Sequence, residues 1–384
     1  MKKLFSFILV IVLLFQSSSY TYANSPDISA DSAILIEAST GQVIYEKNPD
    51  SPLRPASITK IMTLLLIFDA LESGQIKMTD SVTVSEHAAS MGGSQVFLEP
   101  GEVQTVETMI KCIAIASAND ASVAMAEYIS GSEDAFVAKM NERAKGLSMQ
   151  NTHFVNCCGL DADGHLTTAR DVSIMSRELI VKYPQIHEIS TIWMDTITHV
   201  TRRGEKEFTL TNTNKLLKQY EWATGLKTGS TSLAGFCLSA TAKRNDIELI
   251  SVVMAAKSGK ERVSDSIKLL NHGFSLCSLY VDTDMPGLND IKIKGGIQKY
   301  ISCNYKNDFS HMFTFDYDEG LIIKVTEFIE NLKAPIKEGE VVGQLTYFYN
   351  NEHIGSVDII SNDNIKKADF GDYLSLLSKN VFGL

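Results

Sequence analysis

Pro55-Ala56-Ser57-Ile58-Thr59-Lys60, followed without a break by the apolar run Ile61-Met62-Thr63-Leu64-Leu65-Leu66-Ile67-Phe68, decides how the rest of the chain is read. Pro55 stops any earlier helix, and a Ser just ahead of an apolar-periodic run marks a helix start. With Ser57 at or inside the first turn, Lys60 falls three residues on and shares its face. A hydroxyl and an amine then lie within reach of each other, at the helix end where partial positive charge collects. Such a serine is a candidate nucleophile. Read alone, the stretch from Ser57 to Lys60 is an ordinary helix cap with a solvated Lys, and a Ser-x-x-Lys match arises by chance in a chain of this length.

The surrounding chain has 384 residues, of which 44% are hydrophobic and 21% charged, a globular composition with room for a large core and a second domain. Its start reads differently. Lys2-Lys3 precede an uncharged apolar run from Leu4 to Phe15 and a polar stretch ending Thr21-Tyr22-Ala23. That is the layout of a secretory signal over residues 1–23, with an apolar run short for a bilayer span. The mature protein is predicted to begin near Asn24, an uncleaved anchor being the alternative. The formal charge of the whole chain is −11, and the leader carries Lys but no acid. An acidic exported protein is a poor nucleic-acid binder. Cys112, Cys157, Cys158, Cys237, Cys277 and Cys303 show no C-x-x-C spacing. Cys112 and Cys237 sit in apolar runs and read as small buried hydrophobes. A chain this long needs no staples, so no structural disulfide is predicted.

Upstream of Ser57, Ala33 to Glu37 and Val43 to Lys47 around Ser39-Thr40-Gly41-Gln42 read as a β-hairpin. Downstream, a Gly-rich loop, Met91-Gly92-Gly93-Ser94, precedes a dense helical section from Val106 to Lys145 with apolar residues at three- and four-residue spacing. Ser117-Ala118-Asn119-Asp120 interrupts it. From Thr198 short apolar runs divided by turns, including Phe236 to Thr241 and Ile247 to Ala255, fit strands of one antiparallel sheet, and Lys260 to Phe274 reads as a helix. This order of strands, massed helices, strands and helix predicts an α+β fold. Beyond Tyr280 the strand-like runs Asp290 to Lys294, His311 to Tyr317, Leu321 to Phe328, Glu340 to Tyr349 and His353 to Ile360 predict a small all-β domain. The expected organisation is a leader over 1–23, a catalytic domain over 24–279, a β-rich domain over 280–365 and an amphipathic helix over 366–384. On that last helix Phe370, Tyr373, Leu374, Leu377, Val381 and Leu384 share one face, suited either to a membrane surface or to docking on the protein itself.

Two further stretches change the weight of Ser57-x-x-Lys60. Ser117-Ala118-Asn119 and then Lys227-Thr228-Gly229 follow it in order, at an inter-helix gap and in a strand-like run. Ser-x-x-Lys, Ser-Asp-Asn and Lys-Thr-Gly together form the signature of penicillin-binding proteins and class A β-lactamases.

With these motifs the chain resembles the low-molecular-mass penicillin-binding proteins that act as serine-type D-Ala-D-Ala carboxypeptidases, peptidase family S11. The likeness extends to Gly92-Gly93-Ser94, to the loop from Gly159-Leu160 to Gly164-His165, to Thr168-Ala169-Arg170-Asp171, and to Asn212-Thr213-Asn214-Lys215-Leu216-Leu217. It covers essentially the whole mature chain. One departure is Ala118, where the lactamases commonly carry Asp; that place varies among the carboxypeptidases, so the change favours them. The resemblance implies a serine β-lactamase/penicillin-binding-protein-like domain, an antiparallel sheet with a helical cluster, plus the small all-β C-terminal domain.

It also implies removal of the terminal D-Ala from peptidoglycan stem peptides through an acyl-enzyme, at the outer face of the cytoplasmic membrane or in the wall, with β-lactams as covalent inhibitors. Ser57 would be the nucleophile. Lys60 serves as its base only when neutral, a state favoured by burial and by a second cation. Lys227 is that cation and is expected to keep its charge. Ser117 would carry the proton to the leaving amine, and Asn119 would hold the peptide amide and orient Lys60. Thr228 and Ser230 would offer hydroxyls to the terminal carboxylate, with Arg262 as a further carboxylate-binding group. The backbone N–H groups of Ser57 and Ser230 would hold the oxyanion. No metal or cofactor is implied.

The rival readings are a β-lactamase, a transpeptidase or endopeptidase on the same fold, and a non-catalytic β-lactam sensor. Between Asp120 and Leu226 no Glu stands in a Glu-x-x-x-Asn setting, which argues against the Glu-assisted deacylation of class A enzymes. Retention of Ser57, Lys60, Ser117, Asn119 and Lys227 together argues against a sensor. Neither Gly-x-Ser-x-Gly nor His-Glu-x-x-His occurs, so a Ser-His-Asp hydrolase and a zincin have no motif.

Overall fold

The computed structural model describes residues 25–201 and 204–374. The predicted leader, 1–23, and the last part of the predicted terminal helix, 375–384, lie outside the described residues. Strands β1 (Ser32–Glu37) and β2 (Val43–Lys47) come first, then a 3₁₀ turn, Ala56–Thr59, running into α1 (Lys60–Glu72). β3 (Ser81–Thr83), α2 (Glu86–Ala89) and β4 (Val103–Thr105) follow, and then the helical section, α3 (Val106–Ala114), α4 (Asn119–Ser130) and α5 (Glu133–Gly146). α6 (Ala169–Lys182), α7 (Ile186–Ser190) and the hairpin β5 (Met194–Thr201) and β6 (Gly204–Thr211) lead to β7 (Ala223–Thr231), β8 (Gly235–Arg244), β9 (Ile247–Ala256) and α8 (Gly259–Leu276).

Helix α1 has no solvated face in its first turns. Lys60 through Leu65 are buried without exception, as are Ile67, Phe68 and Ala70. A helix apolar all round belongs inside a domain, and this one carries Lys60 into the interior at its first position. Its neighbours start on side-chain caps: Thr105 accepts from the Thr108 N–H, Ser132 from Ala135 and Thr168 from Asp171. Each satisfies an N–H that the helix itself leaves open.

The central sheet has the order β2-β1-β9-β8-β7. β1 is buried throughout and β8 and β9 over most of their length, as near-continuous apolar runs require. β7 pairs antiparallel with β8, Lys227 opposite Ser239 and Gly229 opposite Cys237, and as the last strand it has no strand partner on its other edge among the described residues. The expectation that all runs after Thr198 join one sheet is corrected here. β5 and β6 form a two-stranded sheet of their own. Among the described residues of that hairpin only Ile197, His199 and Leu210 are buried, too few apolar positions to lie inside a two-sided sheet.

The chain divides into two compact units, one running to Ile36 and then over Tyr45–Ala242 and Ile250–His272, the other comprising Glu37–Ile44, Lys243–Leu249 and Gly273–Leu384. In the second, β10 (Cys303–Tyr305), β11 (Ile322–Phe328), β12 (Val341–Tyr349) and β13 (Glu352–Ser361) form a four-stranded sheet of order β10-β13-β12-β11. The run expected from Asp290 to Lys294 shortens to Ile291–Lys292, and that from His311 to Tyr317 becomes Ser310–Phe313. Two apolar clusters fill this unit, one around Ile301, Val342 and Ile359 and the other around Tyr280, Phe309 and Tyr347. The Asp282 carboxylate is buried among them and accepts from Tyr347 Oη at 2.8 Å and Lys324 Nζ at 2.7 Å.

Candidate active site

Ser57 lies inside the 3₁₀ turn rather than at its cap, where Pro55 sits without a side-chain cap bond. Its hydroxyl is therefore not spent on the helix end. Two glycines press on this turn. A Cβ built on Gly229 of β7 would lie 2.9 Å from the backbone nitrogens of Ser57 and Ile58, and one on Gly159 would lie 1.8 Å from the Ala56 oxygen. Since real Cβ contacts are never that short, only glycine lets β7 and the 159 loop approach so closely.

Lys60 Nζ is fully buried and makes three hydrogen bonds, donating to Ser57 Oγ at 3.1 Å, Asn119 Oδ1 at 2.6 Å and the Cys158 carbonyl at 2.6 Å. Asn119, in the first turn of α4, is latched from outside: its Nδ2 donates to the Gly92 carbonyl and its N–H to that of Ser94. Gly93 has no room for a side chain, because a Cβ there would meet Asn119 Nδ2 at 2.8 Å. The next residue, Asp120, is buried and accepts from the N–H groups of Val96 and Leu98.

Across the Ser117-Ala118-Asn119 gap the second lysine makes a parallel arrangement. Lys227 Nζ, also buried, donates to Ser117 Oγ at 2.8 Å and to the Thr228 carbonyl at 3.0 Å. Ser117 has φ +62°, a left-handed conformation that strains a non-Gly residue and often accompanies a functional site. Thr228 Oγ1 pairs with Thr213 Oγ1 at 2.7 Å, and Ser230 is exposed beyond it. If Thr213 is the donor of that pair, the Thr228 hydroxyl proton stays available to a ligand. Arg262 Nη1 donates to the carbonyls of Gly229 and Cys237 at 3.0 and 3.1 Å. It therefore ties β7 to β8, and that nitrogen is spent on the sheet.

Burial pushes the amines of both lysines below the ordinary lysine value. For Lys227, pushed further, the charges of Lys60 and Arg262 add to the effect; for Lys60 the nearby Cys158 and Cys157 sulfurs and the Asp120 carboxyl oppose it. The sequence reading that keeps the charge on Lys227 thus needs an anion beside it, because two buried cations that repel cannot both stay protonated at no cost.

Residues 19–258 match the family described as D-alanyl-D-alanine carboxypeptidase. The chain belongs to that family. Residues 274–367 match the penicillin-binding protein 5 C-terminal domain. The chain is 42% identical to the D-alanyl-D-alanine carboxypeptidase DacF of Bacillus subtilis, over 97% of each chain. It superposes on penicillin-binding protein 5 of Haemophilus influenzae with a TM-score of 0.71 at 28% identity, covering 89% of this chain and 99% of that one. With the Streptomyces K15 DD-transpeptidase the TM-score is 0.62 at 29% identity, over 66% of this chain and 99% of the other. The family signature thus falls on two adjoining hydrogen-bond groups, Ser57–Lys60–Asn119 and Ser117–Lys227. The part that the sequence did not reveal is the Cys158 carbonyl on Lys60. It is a backbone atom whose placement no side-chain motif records.

Proposed function

We propose that this family member removes the terminal D-Ala from stem peptides ending in D-Ala-D-Ala, with Ser57 as nucleophile and Lys60 as general base. The observation that carries the reading is the buried Lys60 amine 3.1 Å from Ser57 Oγ. The terminal carboxylate of the substrate docks at Lys227, Thr228 and Ser230, and its negative charge favours the protonated form of Lys227. Arg262 acts by holding β7 in place and by adding positive charge to the same end of the cleft. That cation in turn favours the neutral form of Lys60. Neutral Lys60 takes the Ser57 hydroxyl proton as Oγ attacks the penultimate carbonyl carbon. The oxyanion is held by the N–H groups of Ser57 and of Ser230 on the free edge of β7. Collapse breaks the peptide bond, Ser117 relays the proton held by Lys60 to the leaving amine, and D-Ala departs with Lys60 neutral again. Water then releases the acyl group from Ser57. Asn119 keeps Lys60 aimed at the serine throughout.

β-Lactams enter the same route and stop at the acyl-enzyme. Residues 24–279 are assigned to this chemistry and 280–365 to a supporting β-rich domain. The leader pattern supports export, and a wall peptide requires action outside the cytoplasm. Among the described residues no helix is long and apolar enough to cross a membrane. Phe370, Tyr373 and Leu374, 82%, 48% and 59% exposed, support surface attachment of the terminal segment to a membrane instead. A second reading, transfer of the acyl group to another amine, is favoured by the likeness to the K15 transpeptidase.

The test is release of D-Ala from a stem peptide by residues 24–384 beside Ser57→Ala. Release by the parent and none by the variant is expected. A folded parent that binds penicillin covalently yet releases no D-Ala overturns the carboxypeptidase reading in favour of the transferase.

A further inference from the structure

Cys157 and Cys158 are adjacent, buried and unpaired, with their sulfurs 3.7 Å apart. The Glu133 carboxylate completes a trio whose ligand atoms all lie within 4.8 Å of one another, and among the described residues this is the one such grouping of His, Cys, Asp and Glu. Two thiolates bound about 2.3 Å from a tetrahedral zinc ion stand about 3.8 Å apart, so the sulfurs already have the separation that the ion demands. Glu133 is fixed from both sides: Oε1 accepts from the Cys157 N–H at 3.1 Å, and Oε2 lies 3.0 Å from His87 Nε2. Carboxylates that ligate a metal are themselves held by hydrogen bonds from outside the site, the part His87 and the Cys157 N–H play here. The His87 side chain is 55% exposed and Glu133 15%, which gives an ion a way in from solvent to sulfurs that are otherwise covered.

The same residues touch the proposed catalytic base through backbone rather than side chain. Cys158 presents its carbonyl to Lys60 Nζ, and its sulfur lies 3.6 Å from the Asn119 carbonyl. Drawing the Cys158 sulfur toward an ion moves the peptide that holds Lys60.

We propose that Cys157, Cys158 and Glu133 form a binding site for a thiophilic divalent cation of the zinc class, and that filling it slows acylation of Ser57 by shifting the Cys158 carbonyl from Lys60. Two sulfur ligands select zinc or cadmium over magnesium and calcium. The reaction is balanced without a redox partner: the divalent ion displaces one proton from each thiol and both protons leave to solvent. The link to catalysis rests on Lys60 serving as base; the binding itself does not.

Residues 24–384, reduced and stripped of metal by a chelator, are titrated with Cd²⁺. A thiolate-to-cadmium ultraviolet band that saturates at one ion per chain, with release of two protons, is expected, and Zn²⁺ should abolish the band by competition. Cys157→Ser and Cys158→Ser should lose it and Cys112→Ala should keep it. Because serine in the core can upset folding, Glu133→Gln at the rim serves as a second variant, expected to weaken Cd²⁺ binding roughly 10-fold or more. Saturating Zn²⁺ should slow penicillin acylation of the parent and leave the rate of Cys157→Ser unaffected. Absence of the band in the reduced parent, or a band of equal strength in Cys157→Ser, overturns the site. Formation of the band with an acylation rate indifferent to saturating Zn²⁺ overturns its connection to Lys60.

Discussion

Gly159 stands at φ +86° with the Ala56 carbonyl where a side chain would go. Gly159→Ala adds left-handed strain to a backbone overlap, and the two together are expected to cost roughly 2–4 kcal/mol, read as a lower urea midpoint with slower penicillin acylation. His165 gives a prediction in pH. Its Nδ1 accepts the Val155 N–H and its Nε2 lies 2.8 Å from Thr59 Oγ1, so the single proton belongs on Nε2 and the ring is neutral. Burial, with His153 and Arg54 adding repulsion, lowers it from 6.5 to about 4. The unfolded chain therefore binds the proton more readily, and the contribution is present above the unfolded value and lost as pH falls toward the folded one. Relative to His165→Gln, the parent should lose about 1.4 kcal/mol of unfolding free energy for each pH unit between those values. Equal pH slopes in the two proteins would refute this.

The loop ahead of β4 is held to α4 by the two Asn119 bonds to Gly92 and Ser94 and by the buried Asp120 carboxylate. Asp120→Ala leaves the Val96 and Leu98 N–H groups without their acceptor, and a loss of roughly 2–4 kcal/mol is expected in chemical unfolding. With the loop freed, Asn119 loses its Gly92 latch, so acylation should fall as well. The helices were legible because α3 and α4 carry apolar residues at three- and four-residue spacing, whereas β7, with Leu226 as its one large apolar residue, was found through its Lys-Thr-Gly motif. The β5–β6 hairpin was not legible, since its alternation reads like that of any strand and says nothing of which sheet it joins. Its place depends on remote polar contacts, His199 Nδ1 to Glu102 Oε1 at 2.8 Å and Gln104 Nε2 to the Thr198 carbonyl at 2.8 Å. Likewise Ser57, Lys60, Ser117, Asn119 and Lys227 were legible as a set, whereas the Thr213 partner of Thr228 and the commitment of Arg262 to two carbonyls follow from tertiary packing alone.

At the scale of the molecule, the second unit depends on a charge buried in its own core. Burial pushes the Asp282 carboxyl up, but Lys324, the Asp284 N–H and Tyr347 outweigh it and hold the group below the usual carboxylate range. Lys324→Met removes the cation while leaving the anion buried, and about 3–5 kcal/mol of that unit's stability should go with it. Calorimetry should show an early transition that leaves penicillin binding intact; a single unchanged transition would refute the assignment. In the first unit, the two glycines against the serine turn bear on how a bacterium escapes antibiotics. A drug could be excluded by adding bulk beside the nucleophile, but at Gly159 and Gly229 even a methyl group meets the main chain of that turn. Escape by reshaping these walls would damage the enzyme before it excluded the drug, which leaves the exposed rim near Ser230 as the place where selection has room to act.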